Sequence, residues 1–407
     1  MKQLLSMALL LALVVSMGTV AFGDTTLEGD YDLDYYTKYK DQGLSVNVYN
    51  WGEYISNGDD DSLDVNAAFE ELTGIRVVYN TFDTNEILYA KLKTGGSNYD
   101  VIIPSDYTIA RMLEEDMLRP LDFDNIPNFK HIDPQYVNPD YDPQNRYSVP
   151  YTWGTVGLIY NTTMVDPGED METWDVLWNE KYSKNILMFG NSRDAFAIAF
   201  KRMGAPLNAE TREQLDQGTQ MLIQQKPLVQ AYVMDEIFDK MTGGEAAIAP
   251  YYAGDFITMQ DDNPDLAFAF PREGTNIFTD AMCVPKDAKN PELAEMYINF
   301  MLEPQVGLAN IEYIGYSTPN AAVYELLDDE VKNNPVQYPD KELLDTFEYL
   351  VHPSPEMAKA MDDAWTSIVA SDQAYGDMVL PGVLAICVVV IIALAVMRSA
   401  KKKRPQG

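Results

Sequence analysis

The sequence predicts an α/β protein with two domains, in which parallel strands alternate with crossover helices. Three short apolar strands, at residues 44–48, 75–79 and 100–103, are separated by two segments with helical spacing. Alternation of strands and helices at this spacing is typical of a parallel sheet. The length of 407 residues is enough for two domains of ordinary size.

In the first half of the chain, the residue pattern supports each predicted strand and helix in turn. Leu44, Val46 and Val48 alternate with polar residues, which indicates a strand, and helical spacing follows over residues 65–72. Gly74 is expected to end that helix. The next elements are a β-branched strand at 75–79, a helix at 86–93 that ends at two glycines, and a strand at 100–103 closed by a proline.

A second α/β region begins near Tyr151, and its elements are shorter. Alternating or continuous apolar runs predict strands at 157–160, 185–189, 246–250, 267–270 and 280–285, and helices at 193–203 and 291–302. There is no internal repeat and no low-complexity segment.

The two ends of the chain carry targeting signals. Lys2, the apolar run 4–15 and the small residues at 21–23 form an export signal, with cleavage expected before Asp24. The alternative, a hydrophobic first helix of the folded domain, fits such a short run less well.

Residues 378–397 contain no charge and are long enough to cross a bilayer as a helix. The basic tail 398–407 follows directly and marks that side as cytoplasmic. We therefore expect an exported protein anchored by its C-terminus, with the intervening part outside the cell.

The composition limits the kinds of molecule that the protein is expected to bind. The chain has 63 acidic and 29 basic residues and a formal net charge of −34, which repels nucleic acid and attracts cations. Cys283 is the only cysteine of the external part, since Cys387 lies in the predicted span, so no disulfide is expected there. The acidic surface also serves solubility and is weak evidence for a cationic ligand by itself.

Enzyme motifs are absent from the sequence. The only two histidines, His131 and His352, lie far apart, and there is no zinc-protease, nucleophile-elbow, phosphate-loop or dinucleotide motif. Cys283 lies between Met282 and Val284, as in a buried strand, so it is not expected to be a catalytic nucleophile. With so many acids a carboxylate pair stays possible, so an acidic surface glycoside hydrolase is the remaining enzyme alternative. No catalytic residue, cofactor or metal site is expected.

Polar and aromatic clusters follow two of the predicted parallel strands, at residues 50–54 and 105–107. Ligands of open α/β sheets collect beyond the carboxyl ends of the strands. These clusters are therefore candidates for a binding site.

Four segments in order along the chain resemble one family. They are residues 49–54 (YNWGEY), 99–107 (YDVIIPSDY), 147–154 (YSVPYTWG) and 314–320 (IGYSTPN). Together they are similar to the spermidine/putrescine-binding receptors of bacterial ABC importers, over about residues 44–370. The resemblance implies a type II periplasmic-binding-protein fold, in which two α/β lobes close over a ligand in the cleft between them.

The resemblance also implies domain boundaries and partners. Lobe 1 is expected at 44–150 and 280–322 and lobe 2 at 151–279 and 323–370, after a leader strap or flexible linker at 24–43 and before a linker at 371–377. The expected partners are a polyamine, the permease subunits of an ABC importer and, through the C-terminal helix, the membrane. The protein is expected to be a monomer.

Carried over position by position, the resemblance implies a set of ligand-binding residues. They are Trp51, Glu53, Tyr54, Ser105, Tyr107, Asn191, Asp194, Tyr252, Phe278, Asp280 and Tyr316. Asn191 is a departure, because an acid of the family has become an amide, and this suggests a shifted preference among polyamines.

These residue types suit a polyamine chemically. Carboxylates such as Asp194 and Asp280 match ammonium groups, and aromatic faces cover the methylenes and attract cations. At single positions a role other than ligand binding is the alternative. The aromatic residues could serve packing, and Asp194 could form a surface pair with Arg193. At the level of function, the alternatives are the same fold with another small cation, an amino-acid derivative or a metal ion, and a tethered sensor or adhesion ectodomain.

Overall fold

The computed structural model describes residue 29 and residues 31–95 and 97–371 and divides the chain into two units. Unit 1 contains the described residues up to Val156 together with Tyr252–Pro264 and Ile277–Asp345, and unit 2 contains Gly157–Tyr251, Asp265–Asn276 and the described residues from Thr346 onward. The predicted export signal 1–23 and span 378–397 lie outside the described residues. Within those residues no helix is both long and apolar enough to cross a membrane.

Ten strands are found in the described residues: β1 (Ser45–Trp51), β2 (Arg76–Phe82), β3 (Val101–Ile102), β4 (Ser148–Asn161), β5 (Ile186–Phe189), β6 (Val229–Val233), β7 (Ile248–Tyr252), β8 (Leu266–Ala269), β9 (Asn276–Cys283) and β10 (Glu348–Tyr349). The α-helices are α1 (Leu33–Tyr36), α2 (Val65–Thr73), α3 (Asn85–Lys93), α4 (Asp106–Glu114), α5 (Ser192–Arg202), α6 (Arg212–Gln225), α7 (Glu236–Thr242), α8 (Ala253–Asp262), α9 (Pro291–Met301), α10 (Pro304–Ile314), α11 (Ala321–Leu326), α12 (Asp329–Lys332) and α13 (Lys341–Leu344). Residues 355–371 are also helical.

Short 3₁₀ helices connect these elements, at Asp59–Asp61, Phe123–Asn125, Pro127–His131, Pro134–Tyr136, Trp174–Trp178, Glu180–Tyr182 and Lys226–Leu228.

The sheet of unit 1 has the strand order β2–β1–β3–β9–β4. β1 is parallel to β2 and β3, whereas β9 is antiparallel to β3 and to the first part of β4. The predicted strand–helix–strand–helix–strand alternation is confirmed. One difference is that β9 begins at Asn276, four residues before the predicted start, so that Phe278 and Asp280 lie in one strand.

Local signals in the sequence place the helices of unit 1. The side chain of Asp64 accepts a hydrogen bond of 2.9 Å from the Ala67 amide and so caps α2. Gly74 ends α2 with φ of 70°, a left-handed conformation that favours glycine, as predicted. α3 and α4 then cover an apolar cluster that includes Phe82, Leu88 and Ile109. This cluster lies under the ends of β1 and β3 and fixes the loops that follow them.

Unit 2 has its own sheet, in which β7, β5 and β6 follow the second part of β4. β5 is parallel to β6 and β7, and β8 is antiparallel to β4. α5 begins directly after β5, and its face from Ala195 to Phe200 is buried. The carboxyl end of β5 therefore leads into Asn191 and Asp194, two of the predicted ligand residues.

The leader at 24–43 was expected to be either a strap or a flexible linker, and its described residues are packed on unit 1. Tyr36 in α1 is fully buried. Its hydroxyl donates to Glu303 Oε1 at 2.6 Å and accepts from Asn299 Nδ2 at 2.8 Å. Tyr35 adds a bond of 2.6 Å to the Asn125 carbonyl. This segment is therefore a strap across α9 and the loop that follows it.

The division into units differs from the expected lobes in four segments. Residues 151–156, 252–264, 277–279 and 323–345, all expected in lobe 2, belong to unit 1. Val323 and Leu327 pack on Ile311 of α10 in an apolar cluster, which holds the last of these segments in unit 1. Apolar spacing predicts a helix but does not specify which neighbour buries its face.

The helix 355–371 closes unit 2. Trp365 contacts the rings of Phe196 and Tyr232, with centroid distances of 6.4 and 5.5 Å. At the end of this helix the ammonium group of Lys226 donates to the carbonyl of Ile368 at 2.8 Å and to that of Val369. A cation at a helix C-terminus satisfies carbonyls that lack helical partners and is favoured by the helix dipole.

We expect Lys226→Met to destabilise the end of this helix. The change keeps the apolar stem but removes the charged hydrogen bonds, which contribute about 2 kcal/mol in such a setting. Hydrogen exchange of residues 355–371 measures the effect, and the amides of the last two turns should exchange about 30-fold faster. Lys181→Met, a matched change of an exposed lysine that pairs only at the surface, should leave this helix unchanged. Equal exchange in Lys226→Met and the wild type would contradict the assigned role.

Candidate functional site

A buried carboxylate lies at the centre of the candidate site of unit 1. Asp280 is 3% exposed and lies on β9, opposite Thr152 of β4 and bridged to Ser105, which follows β3. The Tyr54 hydroxyl donates to Asp280 Oδ2 at 2.7 Å and also contacts the Thr152 hydroxyl. The other oxygen, Oδ1, is buried and has no hydrogen-bond partner. Tyr54 therefore holds one carboxylate oxygen in place, while the other has no donor from the described residues.

The electrostatics of Asp280 follow from this placement. Burial raises the pKa of Asp280 to about 6, although the nearby hydroxyls of Ser105 and Tyr54 lower it in part. Burial likewise raises the pKa of the Tyr54 hydroxyl, so that it stays a neutral donor. Because a buried carboxylate without a cation is costly, a positively charged N–H donor would be stabilised at Oδ1.

Four aromatic rings form a connected series that begins at Tyr54, the hydrogen-bond partner of this carboxylate. Tyr54 and Tyr316 meet edge to face with their centroids 4.7 Å apart. Phe278 lies 6.3 Å from Tyr316 and 5.4 Å from Tyr252. Ring faces of this kind cover methylene groups and attract cations, each contact contributing about 0.5–2 kcal/mol.

A second buried carboxylate, which the sequence reasoning missed, lies beside these rings. Asp255 in the first turn of α8 is 7% exposed, and its Oδ2 accepts from the Tyr316 hydroxyl at 3.1 Å. A usable signal was present, because Asp255 follows the carboxyl end of β7 as Ser105 follows that of β3. The aromatic set of unit 1 is thus flanked by two acids.

Two glycines allow the rings to approach the backbone. A Cβ atom at Gly254 would lie 2.2 Å from Cδ2 of Tyr316, and one at Gly154 would lie 2.8 Å from Cζ of Phe278. Both distances are shorter than any normal contact, so larger residues would displace the rings.

We therefore expect Gly254→Ala to displace Tyr316 and weaken ligand binding about tenfold or more. The overlap should also lower the free energy of unfolding by about 1–3 kcal/mol. Urea unfolding and a ligand titration measure the two effects. In a Tyr316→Ala background the same glycine change should have little further effect on stability or affinity, since the ring that it overlaps is absent. Wild-type affinity in Gly254→Ala would contradict this role of Tyr316.

Ser105 and Tyr107 are held together by an asparagine. Asn85 at the start of α3 donates to Ser105 Oγ at 3.0 Å and to the Tyr107 hydroxyl at 2.9 Å. The Asn85 Oδ1 also accepts from the Ser105 amide at 3.1 Å. Asp106 accepts from the Thr279 amide at 3.1 Å and so fixes this loop to β9. Asn85 is a supporting residue that no sequence motif indicated.

Trp51 and Glu53 are placed differently from the other predicted residues of unit 1. Trp51 packs on Phe82 with a centroid distance of 4.6 Å, and its buried Nε1 has no hydrogen-bond partner. Glu53 is exposed and has a positive φ of 44°. The structure thus brings Tyr54, Ser105, Tyr252, Phe278, Asp280 and Tyr316 together, joins Tyr107 through Asn85, and leaves Glu53 at the surface.

The two predicted residues of unit 2 form a buried pair. Asn191 caps α5, its Oδ1 accepting from the Arg193 amide at 3.0 Å, and its Nδ2 donates to Asp194 Oδ2 at 2.7 Å. Asn191 and Asp194 are 2% and 3% exposed. Arg193 is also buried and donates to the Val351 carbonyl at 2.8 Å. The alternative of a solvent-exposed pair between Asp194 and Arg193 is therefore wrong.

The comparison with known families gives the class of protein that has this fold. Residues 65–337 match the model of the bacterial extracellular solute-binding proteins, and the chain belongs to this family. The prediction of a binding protein rather than an enzyme is thereby confirmed, and the hydrolase alternative is not supported.

Individual relatives show which solute-binding proteins the chain is similar to. The spermidine/putrescine-binding periplasmic protein of Salmonella typhimurium is 33% identical over 302 residues, which cover 74% of this chain and 85% of the relative. The putrescine-binding periplasmic protein PotF of Escherichia coli is 28% identical, with coverages of 80% and 91%. Among solved structures, the spermidine/putrescine ABC transporter substrate-binding protein PotD of Streptococcus pneumoniae is 37% identical with a TM-score of 0.66, covering 80% of this chain and 98% of the other.

Proposed function

We propose that this protein is an extracellular polyamine receptor that captures spermidine or putrescine and delivers it to an ABC importer. One observation carries the proposal. Asp280 holds a buried carboxylate oxygen without a partner beside a series of aromatic rings. A small organic cation with N–H donors and an apolar body satisfies both features at once.

The energetics favour an ammonium group at this position. Leaving a buried acceptor unpaired costs about 1–3 kcal/mol, and more when the acceptor is charged. An ammonium hydrogen bond to Asp280 Oδ1 removes that cost and neutralises the carboxylate. The rings of Tyr54, Phe278 and Tyr316 then lie against the adjoining methylenes, which a metal ion or a small inorganic cation lacks.

The number of carboxylates fits a ligand with several charges. Unit 1 has the buried Asp255 in addition to Asp280, and unit 2 has Asp194. We infer that the ammonium groups of a polyamine bind buried acids of this kind. The names of the relatives support the ligand class and the importer, because they are spermidine- and putrescine-binding proteins and a substrate-binding protein of an ABC transporter.

The location is part of the same proposal. Relatives of this family are periplasmic or extracellular, in agreement with the predicted export signal at 1–23. We propose in addition that residues 378–397 anchor the receptor in the cytoplasmic membrane and that the basic tail 398–407 stays inside.

Calorimetric titration of the full chain in nonionic detergent tests the ligand. Putrescine and spermidine should bind with one site per chain and raise the unfolding temperature, since free ligand at about 100 times Kd stabilises by about 2.7 kcal/mol. 1,4-Butanediol, which has the carbon chain of putrescine without its charges, is the matched control and should not bind. The absence of both heat and thermal shift with either polyamine at millimolar concentration would overturn the proposed function.

A further inference from the structure

A second amide completes the polar cluster of unit 2. Asn276, the first residue of β9, is 4% exposed, and its Nδ2 donates to Asp194 Oδ1 at 3.3 Å. Asn191 donates to the other oxygen, Oδ2, at 2.7 Å. Each oxygen of the Asp194 carboxylate therefore accepts from a different asparagine.

These bonds fix which end of the Asn276 amide is the carbonyl. Only the NH₂ end can donate to a carboxylate, so that end faces Asp194 and Oδ1 points away from it. That Oδ1 is buried and has no hydrogen-bond partner. In Asn191 the corresponding oxygen is occupied, because it accepts from the Arg193 amide at 3.0 Å. Of these two amides, Asn276 alone keeps an unused acceptor.

A buried side-chain acceptor without a donor is rare in folded proteins and needs an explanation. No motif of the sequence analysis included Asn276. Its neighbour in the cluster is a carboxylate that can accept further hydrogen bonds, because an ionised carboxylate has about four acceptor positions. A donor with at least two N–H groups would satisfy Asp194 and Asn276 together.

We propose that Asn276 is a specificity-determining residue that binds the polyamine directly through Oδ1 and positions Asp194 through Nδ2. The inference rests on the proposed function and deepens it. Unit 2 then offers one full negative charge and one neutral acceptor, a pair suited to a primary or secondary ammonium group with two or three N–H donors.

The test replaces the amide by an apolar side chain of similar size. Asn276→Leu should weaken the binding of putrescine and spermidine about tenfold in calorimetric titrations of the full chain. The unfolding temperature without ligand should change little, because removal of the unpaired buried acceptor offsets the loss of the Nδ2 bond to Asp194. Asn276→Ala, which leaves space instead of adding bulk, should weaken binding by a similar factor and covers the case in which leucine is not accommodated.

A matched control separates a ligand role from a structural one. Asn161 is another buried asparagine of unit 2, but its Oδ1 already accepts from the Thr163 amide at 2.9 Å and from the Thr163 hydroxyl at 2.6 Å. Asn161→Leu should lower the unfolding temperature and leave the affinity unchanged. Asn276 variants that behave in this way would show a structural role only and overturn the inference.

The outcomes also distinguish this inference from the proposed function. If the wild type binds neither polyamine, the proposed function fails and this inference fails with it. If the wild type binds and both Asn276 variants bind within about twofold of it, the inference alone is overturned. A tenfold loss that disappears in the Asp194→Asn background would confirm that Asn276 acts together with Asp194.

Discussion

Replacing Asp280 by asparagine should abolish tight polyamine binding and at the same time stabilise the empty protein. Asparagine has nearly the shape of aspartate and can still accept from the Tyr54 hydroxyl, which lies 2.7 Å from Oδ2 in the wild type. It cannot neutralise an ammonium group. Removing one partner of a buried ion pair costs about 3–5 kcal/mol, so the affinity should fall roughly 100- to 5000-fold.

The gain in stability has a separate cause. The pKa of Asp280 is about 6 in the folded protein, against about 3.9 for an unperturbed aspartate, so ionised Asp280 destabilises the empty fold by up to about 3 kcal/mol near pH 7.5. A folded-state pKa above the unfolded value means that this penalty shrinks as the pH falls from 6 and vanishes below about 4. Asp280→Asn should therefore be more stable than the wild type at pH 7.5 and equal to it near pH 4.

Titration calorimetry and urea unfolding at these two pH values check both expectations. Asp265→Asn, a change in another acid of the chain that lies outside the candidate site, serves as the control and should affect neither affinity nor the pH profile. Wild-type affinity in Asp280→Asn would show that the ammonium is bound elsewhere. A loss of stability at pH 7.5 would show that the carboxylate has a structural partner.

The affinity of the wild type should fall as the solution becomes acidic. Only the ionised form of Asp280 attracts an ammonium group, and below pH 6 the carboxyl of the empty protein is increasingly protonated. The polyamine keeps its charges over this range. The apparent Kd at pH 5 should therefore be about tenfold higher than at pH 7.5, with one proton taken up by the empty protein.

Neighbouring groups do not change the sign of this effect. The hydroxyls of Tyr54 and Tyr151 have pKa values raised by burial and remain neutral throughout. Calorimetry at pH 6 in buffers of different ionisation enthalpy should report the release of about half a proton on binding. A Kd that is independent of pH between 5 and 7.5 would mean that Asp280 is ionised in the empty protein and has an unidentified cationic partner.

The sequence predicted the positions of the strands and helices better than it predicted which other elements each of them packs against. Alternation at Leu44, Val46 and Val48 and the stop at Gly74 depend on neighbours in the chain, and both predictions are confirmed. The assignment of residues 323–345 to a lobe depends on which surface buries Val323 and Leu327, and periodicity contains no information on that choice.

In the candidate site, too, some residues were predicted from the sequence and others became apparent only in the structure. Tyr54, Asp280 and Tyr316 were predicted from a resemblance and from the rule that ligands collect at the carboxyl ends of strands, and the structure brings them together in unit 1. Asp255 was missed although it follows the carboxyl end of β7, and Asn276 was missed because one asparagine at the start of a strand has no distinctive local pattern. Their significance comes from what lies beside them in the folded chain.

The helix 355–371, held by Lys226 at its far end, has a consequence for how the receptor meets its transporter. Only six residues separate Ser371 from the proposed membrane anchor at 378, and six residues span at most about 20 Å when extended. If residues 378–397 anchor the chain as proposed, such a short tether would confine the receptor to a thin layer above the bilayer and restrict its diffusion to two dimensions. The frequency of encounters would then depend on how many receptors and permeases share the same membrane area. A modest affinity of the receptor for the permease would be enough, whereas a freely diffusing receptor would have to be abundant.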